Sequence, residues 1–171
     1  MIQLDHQRTA FSQKKFPVVL LLDGIQSPAN IGSLFRIAEA FGVEKMVACG
    51  TLVNLESPRL RKTARATLSR VPFEDGGDVL DQCLHYQKQD YQLIALEITN
   101  QSHSLSTFEF NPLKGVALVI GHERSGIQQE VLERCQAHIH IDMFGLNSSM
   151  NVAQATAIAL YEITKSLAPI K

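Results

Sequence analysis

Short apolar runs alternate along the chain with longer stretches in which apolar residues recur every three to four positions. The run Pro17–Asp23 is apolar up to its last residue, which predicts a strand buried on both faces of a sheet. Over 30–41 the apolar residues form a helical stripe, and Gly42 is expected to end that helix. Residues 45–49 form the next apolar run and are predicted to be the second strand.

The same alternation continues to the end of the chain. It predicts further helices over 59–68, 78–87, 128–135 and 151–167, and further strands over 91–96, 116–120 and 138–141. Strands alternating with helices predict an α/β fold, with a mostly parallel sheet covered by helices on both faces. Ligands of such sheets bind beyond the carboxyl ends of the strands, so residues just after the strands are the candidates for chemistry.

Composition narrows the class of protein. The 171 residues are 45% hydrophobic and 19% charged, and we expect a polar arm over 1–16 and a single domain over 17–171. Residues 1–15 lack the apolar core of a signal peptide, and no apolar run approaches the roughly 18 residues that span a membrane. Three cysteines without a Cys-x-x-Cys spacing predict neither a disulfide framework nor a metal site, and they fit a cytoplasmic protein.

The formal net charge of −1 excludes a general basic field, so any contact with nucleic acid must come from a local patch. The strongest candidate is segment 59–70, which holds five cations and no acid. Helical spacing is expected to bring Arg61 and Arg65 to one face, with Arg59 and Lys62 near it, as in phosphate-binding stripes. The alternative is an ordinary solvated helix face.

Polar clusters follow three of the predicted strands. The first contains the pattern Asn30-x-Gly32-x-x-x-Arg36, in which Asn30 is expected to cap the helix. Arg36 presents donors suited to phosphate or ribose oxygens. Taken alone, this cluster is more typical of a capped helix with one solvent-facing arginine.

The second cluster, 121–126, has a glycine at each end, which allows backbone to approach a ligand closely. Its Glu123 is expected near a helix N-terminus, where negative charge is favoured. The third cluster, 142–152, offers more polar groups than one helix cap requires. Each of them alone also fits an ordinary turn or cap.

In this order, the patterns Asn-x-Gly-x-x-x-Arg, Gly-x-Glu-x-x-Gly and Ser-x-Asn-Val resemble the three motifs of the SpoU/TrmH family of RNA ribose 2′-O-methyltransferases, within the SPOUT superfamily. The resemblance covers about residues 17–165. It implies an enzyme that transfers a methyl group from S-adenosylmethionine to RNA and releases S-adenosylhomocysteine. It also implies a C-terminal deep trefoil knot and a homodimer with the active site at the subunit interface.

The resemblance carries over to particular residues. The family's catalytic positions are matched by Arg36, Asn30, Glu123, Ser149 and Asn151. Cofactor contacts are expected at Leu96, Glu97, Gly121, Ile141, Met143 and Met150. Basic residues are common near the RNA in relatives, which favours RNA contacts at Arg59, Arg61, Lys62 and Arg65.

The third motif departs from the family pattern at three positions. Asp142 stands where proline is usual, Met150 where leucine is usual, and Ala153 where serine is common. Met150 is a swap of similar volume. Asp142 puts a charge beside the implied cofactor pocket, where it either favours the sulfonium cation or alters the loop.

The implied reaction makes its main demand on the nucleophile, because a ribose hydroxyl is a very weak acid whereas the methyl donor is already a sulfonium cation. In the family the arginine that matches Arg36 is proposed to accept the proton. Arginine is a poor base in its protonated form, so Arg36 acts either as a base helped by a phosphate or as a stabiliser of the developing alkoxide. Asn30, Glu123 and Ser149 are expected to orient Arg36, the cofactor and the ribose.

Three histidines lie in or next to the predicted strands and clusters. His138 and His140 alternate in a predicted strand but lack the third ligand of a catalytic metal site, whereas His122 is a candidate pocket residue.

Two alternative functions stay open. One is a non-catalytic RNA-binding protein with the same fold, and the other is an RNA base methyltransferase of the wider group. Many relatives carry an extra N-terminal RNA-recognition domain for which this chain has no room, so we expect tRNA rather than rRNA as the substrate.

Overall fold

The computed structural model describes residues 13–168, so the predicted polar arm over 1–16 falls largely outside the described residues. The helices are α1 (Pro28–Ala40), α2 (Pro58–Ala64), α3 (Val79–Lys88), α4 (Gln129–Arg134) and α5 (Val152–Leu167). The strands are β1 (Phe16–Asp23), β2 (Val43–Cys49), β3 (Phe73–Gly77), β4 (Gln92–Leu96), β5 (His103–Ser104), β6 (Val116–Gly121) and β7 (Ala137–His140). Every helix and strand predicted from the pattern is present, with shifted ends.

The strands described in 13–168 form one sheet in the order β3-β2-β1-β6-β4-β7-β5, and all of its neighbouring strands run parallel. Strand β1 lies between β2 and β6, and its last residue, Asp23, is in register with Cys49 and Gly121. The carboxyl ends of these strands therefore lie along one edge. The predicted parallel α/β fold is confirmed, whereas the trefoil knot stays a prediction.

Helices cover both faces of the sheet, as the apolar runs predicted. Side chains of β1 alternate between two apolar layers: Leu20 packs with the layer that contains α1, α2 and α5, and Leu21 packs with the layer that contains α3 and α4. Both leucines have no exposed surface. Burial on both faces explains why this strand reads as a continuous apolar run.

The pattern did not predict β3 and β5, which form the two outer edges of the sheet. Strand β3 is short and polar, with Glu74 and Asp75 exposed, and β5 has only two residues. Edge strands are commonly short and charged, because an exposed apolar edge invites pairing with other chains. These two strands therefore carry little of the apolar signal on which the prediction depended.

Two details of the predicted helices were wrong. Helix α1 is capped by Ser27, whose side chain accepts a hydrogen bond from the Asn30 N–H (3.4 Å), and Pro28 begins the helix two residues before Asn30. Helix α2 ends at Ala64 because Arg65 has a φ of 56°, and a 3-10 turn follows over Arg65–Ser69. Arg61 and Arg65 therefore do not share one continuous helix.

Helix α1 packs closely on α2 through Gly32, the glycine of the first motif. A Cβ at this position would lie 2.6 Å from the carbonyl oxygen of Leu60 and 2.8 Å from the Cβ of Thr63. The glycine of this motif therefore has a packing role. None of the helices described in 13–168 is long and apolar enough to cross a membrane.

Replacing Gly32 with alanine should destabilise the protein. At an exposed helical site this change would stabilise by about 1 kcal/mol through helix propensity, whereas here overpacking against the α2 backbone should cost about 1–3 kcal/mol. Urea unfolding measures the difference, and Gly145→Ala, where a Cβ meets nothing within 4 Å, is the matched control. A Gly32→Ala protein as stable as the parent would contradict the close contact.

Candidate active site

A cavity of about 360 Å³ opens at the carboxyl ends of β4, β6 and β7. Its volume lies within the range of small-molecule sites, and its wall combines apolar side chains with polar groups. All six residues at which cofactor contacts were expected line this cavity: Leu96, Glu97, Gly121, Ile141, Met143 and Met150. Parallel strands bring these distant segments together because their carboxyl ends meet at one edge.

Four of the five expected catalytic residues also line the cavity, namely Asn30, Glu123, Ser149 and Asn151. Three of them form a hydrogen-bonded chain. The Asn30 amide donates from Nδ2 to Oε1 of Glu123 (3.0 Å), and its Oδ1 accepts from Nδ2 of Asn151 (2.9 Å). One side chain of the first motif thus joins the second motif to the third.

Asn151 also caps α5, because its Oδ1 accepts hydrogen bonds from the N–H groups of Ala153 (2.9 Å) and Gln154 (3.3 Å). With its oxygen directed at the helix, its NH2 group is directed at Asn30. The cap therefore fixes the orientation of both amides.

Glu123 lies at a helix N-terminus, as expected, and the helix is α1. Its carboxylate accepts hydrogen bonds from the N–H groups of Ser27 (3.0 Å) and Gln26 (3.4 Å) as well as from Asn30. Partial burial alone would raise the pKa of Glu123, but these donors outweigh it and hold the pKa below its ordinary value. Glu123 is therefore an ionised acceptor with its hydrogen-bonding positions largely filled.

The turn between β6 and α4 forms one wall of the cavity. A Cβ at Gly121 would collide with the backbone of Gly126 and Ile127, and one at Gly126 would lie 2.6 Å from Oε2 of Glu97. That oxygen accepts a hydrogen bond from the Ile127 N–H (3.2 Å). The glycines let two backbone segments touch, and Glu97 fixes the turn from the neighbouring strand.

Arg36 does not line the cavity. It is exposed on α1, six residues beyond Asn30 and so about 9 Å further along the helix axis and on another face. Among residues 13–168 it makes no ion pair. The fold of a single chain therefore brings together the other four expected catalytic residues but not Arg36.

His122 lines the cavity, and its Nδ1 accepts hydrogen bonds from the backbone N–H groups of Arg124 (3.2 Å) and Ser125 (3.3 Å). Because Nδ1 is an acceptor, the ring N–H of the neutral form lies on Nε2. Ile98 and Ala155 also line the cavity, and sequence reasoning missed them. Neither carries a polar group, so only the fold reveals them.

Asp23 is a further residue that sequence reasoning missed. It is 2% exposed, and its carboxylate accepts hydrogen bonds from the backbone N–H (3.0 Å) and the side-chain amide (2.7 Å) of Gln128. These bonds tie the end of β1 to the start of α4, beneath the turn that carries Glu123. The sequence does give one sign of it, because Asp23 is an acidic residue at the end of an otherwise apolar strand.

Asp142 does not line this cavity but lines an adjoining one that shares Ile141 and Met143 with it, so its charge lies beside the proposed pocket. Its carboxylate accepts a hydrogen bond from Ser104 and lies 3.5 Å from Nε2 of His140. His138 bonds to Thr99 (3.0 Å) and to the carbonyl oxygen of Leu132 (2.9 Å). Within the described part of the chain, no group of three or more potential metal ligands occurs.

The basic segment 59–70 is less free than its sequence indicated. Arg59, Lys62 and Arg65 are exposed, but Arg61 pairs with Glu56, an acid just before the segment. At its far end Arg70 pairs with Glu39 of α1 (3.0 Å). Three of the four expected RNA contacts therefore present their charge without a described ion pair, and the fourth is partly neutralised.

The sheet is parallel and helices cover both of its faces, and residues from three separate polar motifs line a cleft at its carboxyl edge. These features are those of an α/β protein with a ligand-binding cleft. The family model described as the SpoU rRNA Methylase family matches residues 17–161. The chain belongs to this family.

Curated relatives support the same assignment. The chain is 30% identical over 87% of its length to a 23S rRNA (guanosine-2'-O-)-methyltransferase RlmB of Blochmanniella floridana, and 32% identical over 86% to one of Xanthomonas axonopodis pv. citri. In both cases it spans 58% of the relative's length.

Two solved structures are also similar. A putative TrmH-family RNA methyltransferase from Porphyromonas gingivalis is 28% identical, with a TM-score of 0.76 over 88% of this chain and 60% of the other. A structure described by the words "2-OH methylation of C/U34 on tRNA" is 26% identical, with a TM-score of 0.76 over 88% of this chain and 95% of the other.

Replacing Glu123 with glutamine should lower the melting temperature at pH 7, because the uncharged amide is a weaker acceptor for the α1 N-terminus. The depressed pKa means that the carboxylate stabilises the fold above the unfolded pKa of about 4.3, and that this stabilisation is lost as the pH falls through the lower folded value. The difference between parent and variant should therefore shrink from about pH 5 to pH 3. Thermal unfolding at several pH values measures it, and Glu109→Gln, at an exposed position outside the site, is the control. A difference in melting temperature that does not change with pH would contradict the lowered pKa of Glu123.

Proposed function

We propose that this protein transfers a methyl group from S-adenosylmethionine to a ribose 2′-hydroxyl of RNA. The observation that carries the proposal is the hydrogen-bonded chain from Glu123 through Asn30 to Asn151, at the mouth of a cavity lined by all three motifs. The RNA methyltransferase names of the relatives support it.

The residues around the cavity fit the proposed cofactor. Leu96, Ile141 and Met143 offer apolar surface for the adenine ring and the methylene groups of the methionine chain. Gly121, which also lines the cavity, lets the backbone of Gly126 and Ile127 pack against the end of β6, so this part of the wall is formed by backbone. Bound S-adenosylmethionine supplies a methyl group on a positively charged sulfur, so the leaving group needs no protonation.

In this proposal the protein's own residues hold the ribose and stabilise charge. Asn30 and Asn151 are fixed by their mutual hydrogen bond, and Ser149 beside them presents a hydroxyl at the cavity. A guanidinium stays protonated at neutral pH, so we assign Arg36 to stabilising the negative charge that develops on the 2′ oxygen rather than to taking its proton. One bond forms between the methyl carbon and the 2′ oxygen, the carbon–sulfur bond breaks to leave S-adenosylhomocysteine, and the hydroxyl proton passes to water.

The active unit in this proposal is a homodimer. Arg36 does not line the cavity of its own chain, so a second copy has to supply it. Apolar side chains exposed near the cavity support an interface: Phe144 is 99% exposed and Leu146 107% exposed, whereas monomers rarely leave such neighbours in water.

The RNA in this proposal is a tRNA, held in part by Arg59, Lys62 and Arg65 through phosphate contacts. The similarity to the structure described for 2-OH methylation of C/U34 on tRNA supports a tRNA substrate, whereas the names of the curated relatives make 23S rRNA the alternative that the assay must include. We further propose that the protein works in the cytoplasm and that its C-terminal segment forms the trefoil knot implied by the family resemblance.

Arg36→Ala should fold, bind S-adenosylmethionine and lose at least about 100-fold in methyl transfer, the size of loss expected when a group that stabilises an oxyanion is removed. The measurement is transfer of labelled methyl to bulk tRNA and to rRNA, with mass spectrometry of the nucleosides to distinguish ribose from base methylation. Arg134→Ala, which removes an exposed arginine on α4, is the matched control.

The possible outcomes separate the alternatives. Near-normal turnover by Arg36→Ala would refute the assigned role of Arg36. Calorimetry without any binding of S-adenosylmethionine by the parent would favour a non-catalytic RNA-binding protein. A methylated base in place of a 2′-O-methyl nucleoside would favour the base methyltransferase.

Mixing two inactive variants tests whether Arg36 acts in the partner's cavity. Ala155→Trp should fill the cavity of its own chain, and Arg36→Ala should leave the cavity intact. After subunit exchange, about a quarter of all sites should combine an intact cavity with an intact arginine, so about a quarter of the parental activity should return. Exchange verified by native mass spectrometry without recovered activity would show that Arg36 acts within its own chain.

A further inference from the structure

Asp142, the second residue after β7, is bonded to the neighbouring strand β5. Ser104 of β5 donates a hydrogen bond from Oγ to Oδ2 of Asp142. The other carboxylate oxygen, Oδ1, lies 3.5 Å from Nε2 of His140. The carboxylate thus contacts two strands at the point where the chain leaves the sheet.

The strand that holds Asp142 is itself fixed. Ser104 is in register with His140 of β7, and the next residue, Leu105, is 5% exposed and donates from its N–H to the His140 carbonyl oxygen (2.8 Å). Ser102 adds a second link, since its hydroxyl lies 2.9 Å from Nδ1 of His140. Asp142 is therefore anchored to a paired strand and not to another loop.

The residues on either side of Asp142 are those that line the proposed cofactor cavity. Ile141 and Met143 both line it, whereas Asp142 does not. Beyond Met143 the loop is exposed as far as Asn151, and Phe144 and Gly145 are among its exposed residues. The contact of Asp142 with Ser104 is thus the last tie to the sheet before the exposed loop.

We propose that Asp142 is a positioning residue for cofactor binding, which anchors the start of loop 141–150 to β5 through Ser104 and thereby holds Ile141 and Met143 at the cavity. This inference rests on the proposed function for the identity of the ligand. Charge-assisted hydrogen bonds are stronger than neutral ones, so a carboxylate holds the start of the loop more firmly than a neutral acceptor would.

The hydrogen bond between Asp142 and Ser104 accounts for the departure of this chain from the family pattern, which has proline at this position. Proline fixes its own φ and restricts the residue before it to extended backbone. A covalent ring and a hydrogen-bonded carboxylate are two ways to reduce the freedom of the same turn. The carboxylate acts from the side of β5, where Asp142 lines an adjoining cavity that shares Ile141 and Met143 with the cofactor cavity.

Three variants and two measurements test the proposal. Asp142→Ala should speed hydrogen–deuterium exchange in the peptide 141–150 and raise the dissociation constant of S-adenosylmethionine about tenfold. Asp142→Pro should return the dissociation constant to within about threefold of the parent, because the ring restores the constraint. Glu109→Ala, which removes one negative charge at an exposed position away from the cavity, is the matched control.

A double-mutant cycle identifies the partner. If Ser104 acts through Asp142, then Ser104→Ala combined with Asp142→Ala should weaken binding no more than Asp142→Ala alone. Additive effects, or unchanged exchange in Asp142→Ala, would overturn the proposal. Exchange is measured without ligand, so it decides the anchoring role even if the parent fails to bind S-adenosylmethionine, an outcome that would refute the proposed function instead.

Discussion

The site depends on the two hydrogen bonds of the Asn30 side-chain amide. The amide donates to Glu123 and accepts from Asn151, so the first, second and third motifs meet at one side chain. An amide is suited to this position because it donates and accepts at the same time, and its two neighbours fix which end does which. Aspartate at this position would lose the donor to Glu123 and place two carboxylates side by side. The three motifs are therefore parts of one hydrogen-bonded unit.

The parallel sheet makes that unit possible. Strands β1, β6 and β7 end along the same edge, so residues far apart in sequence leave the sheet close together. Buried Asp23 then ties the end of β1 to the start of α4, which limits where the turn carrying Glu123 can lie. Because charge without partners is costly inside a protein, an acid this deeply buried is kept only where both oxygens are satisfied, as they are here.

The apolar pattern was sufficient for the buried strands and the longer helices, because burial on two faces leaves a strong signal. It failed at β3 and β5, whose edge positions leave little apolar surface, and at Arg65, whose positive φ ends α2 without a glycine to announce it. The residues that line the cavity were predicted from the family resemblance and not from the apolar pattern. The resemblance did not reveal that Glu123 lies at the N-terminus of α1, because contacts between distant segments are a property of the fold.

The contact at Gly32 has a consequence for how the protein engages a long polymer. With no side chain between them, α1 and α2 touch at Gly32, two residues from Asn30, so Leu60 and Thr63 of the basic segment lie against the Asn30 end of α1. A phosphate held by Arg59 or Lys62 would then sit at a set distance from the cavity mouth. The packing of α1 on α2 would thus link the position of a bound phosphate to the position of the ribose at Asn30.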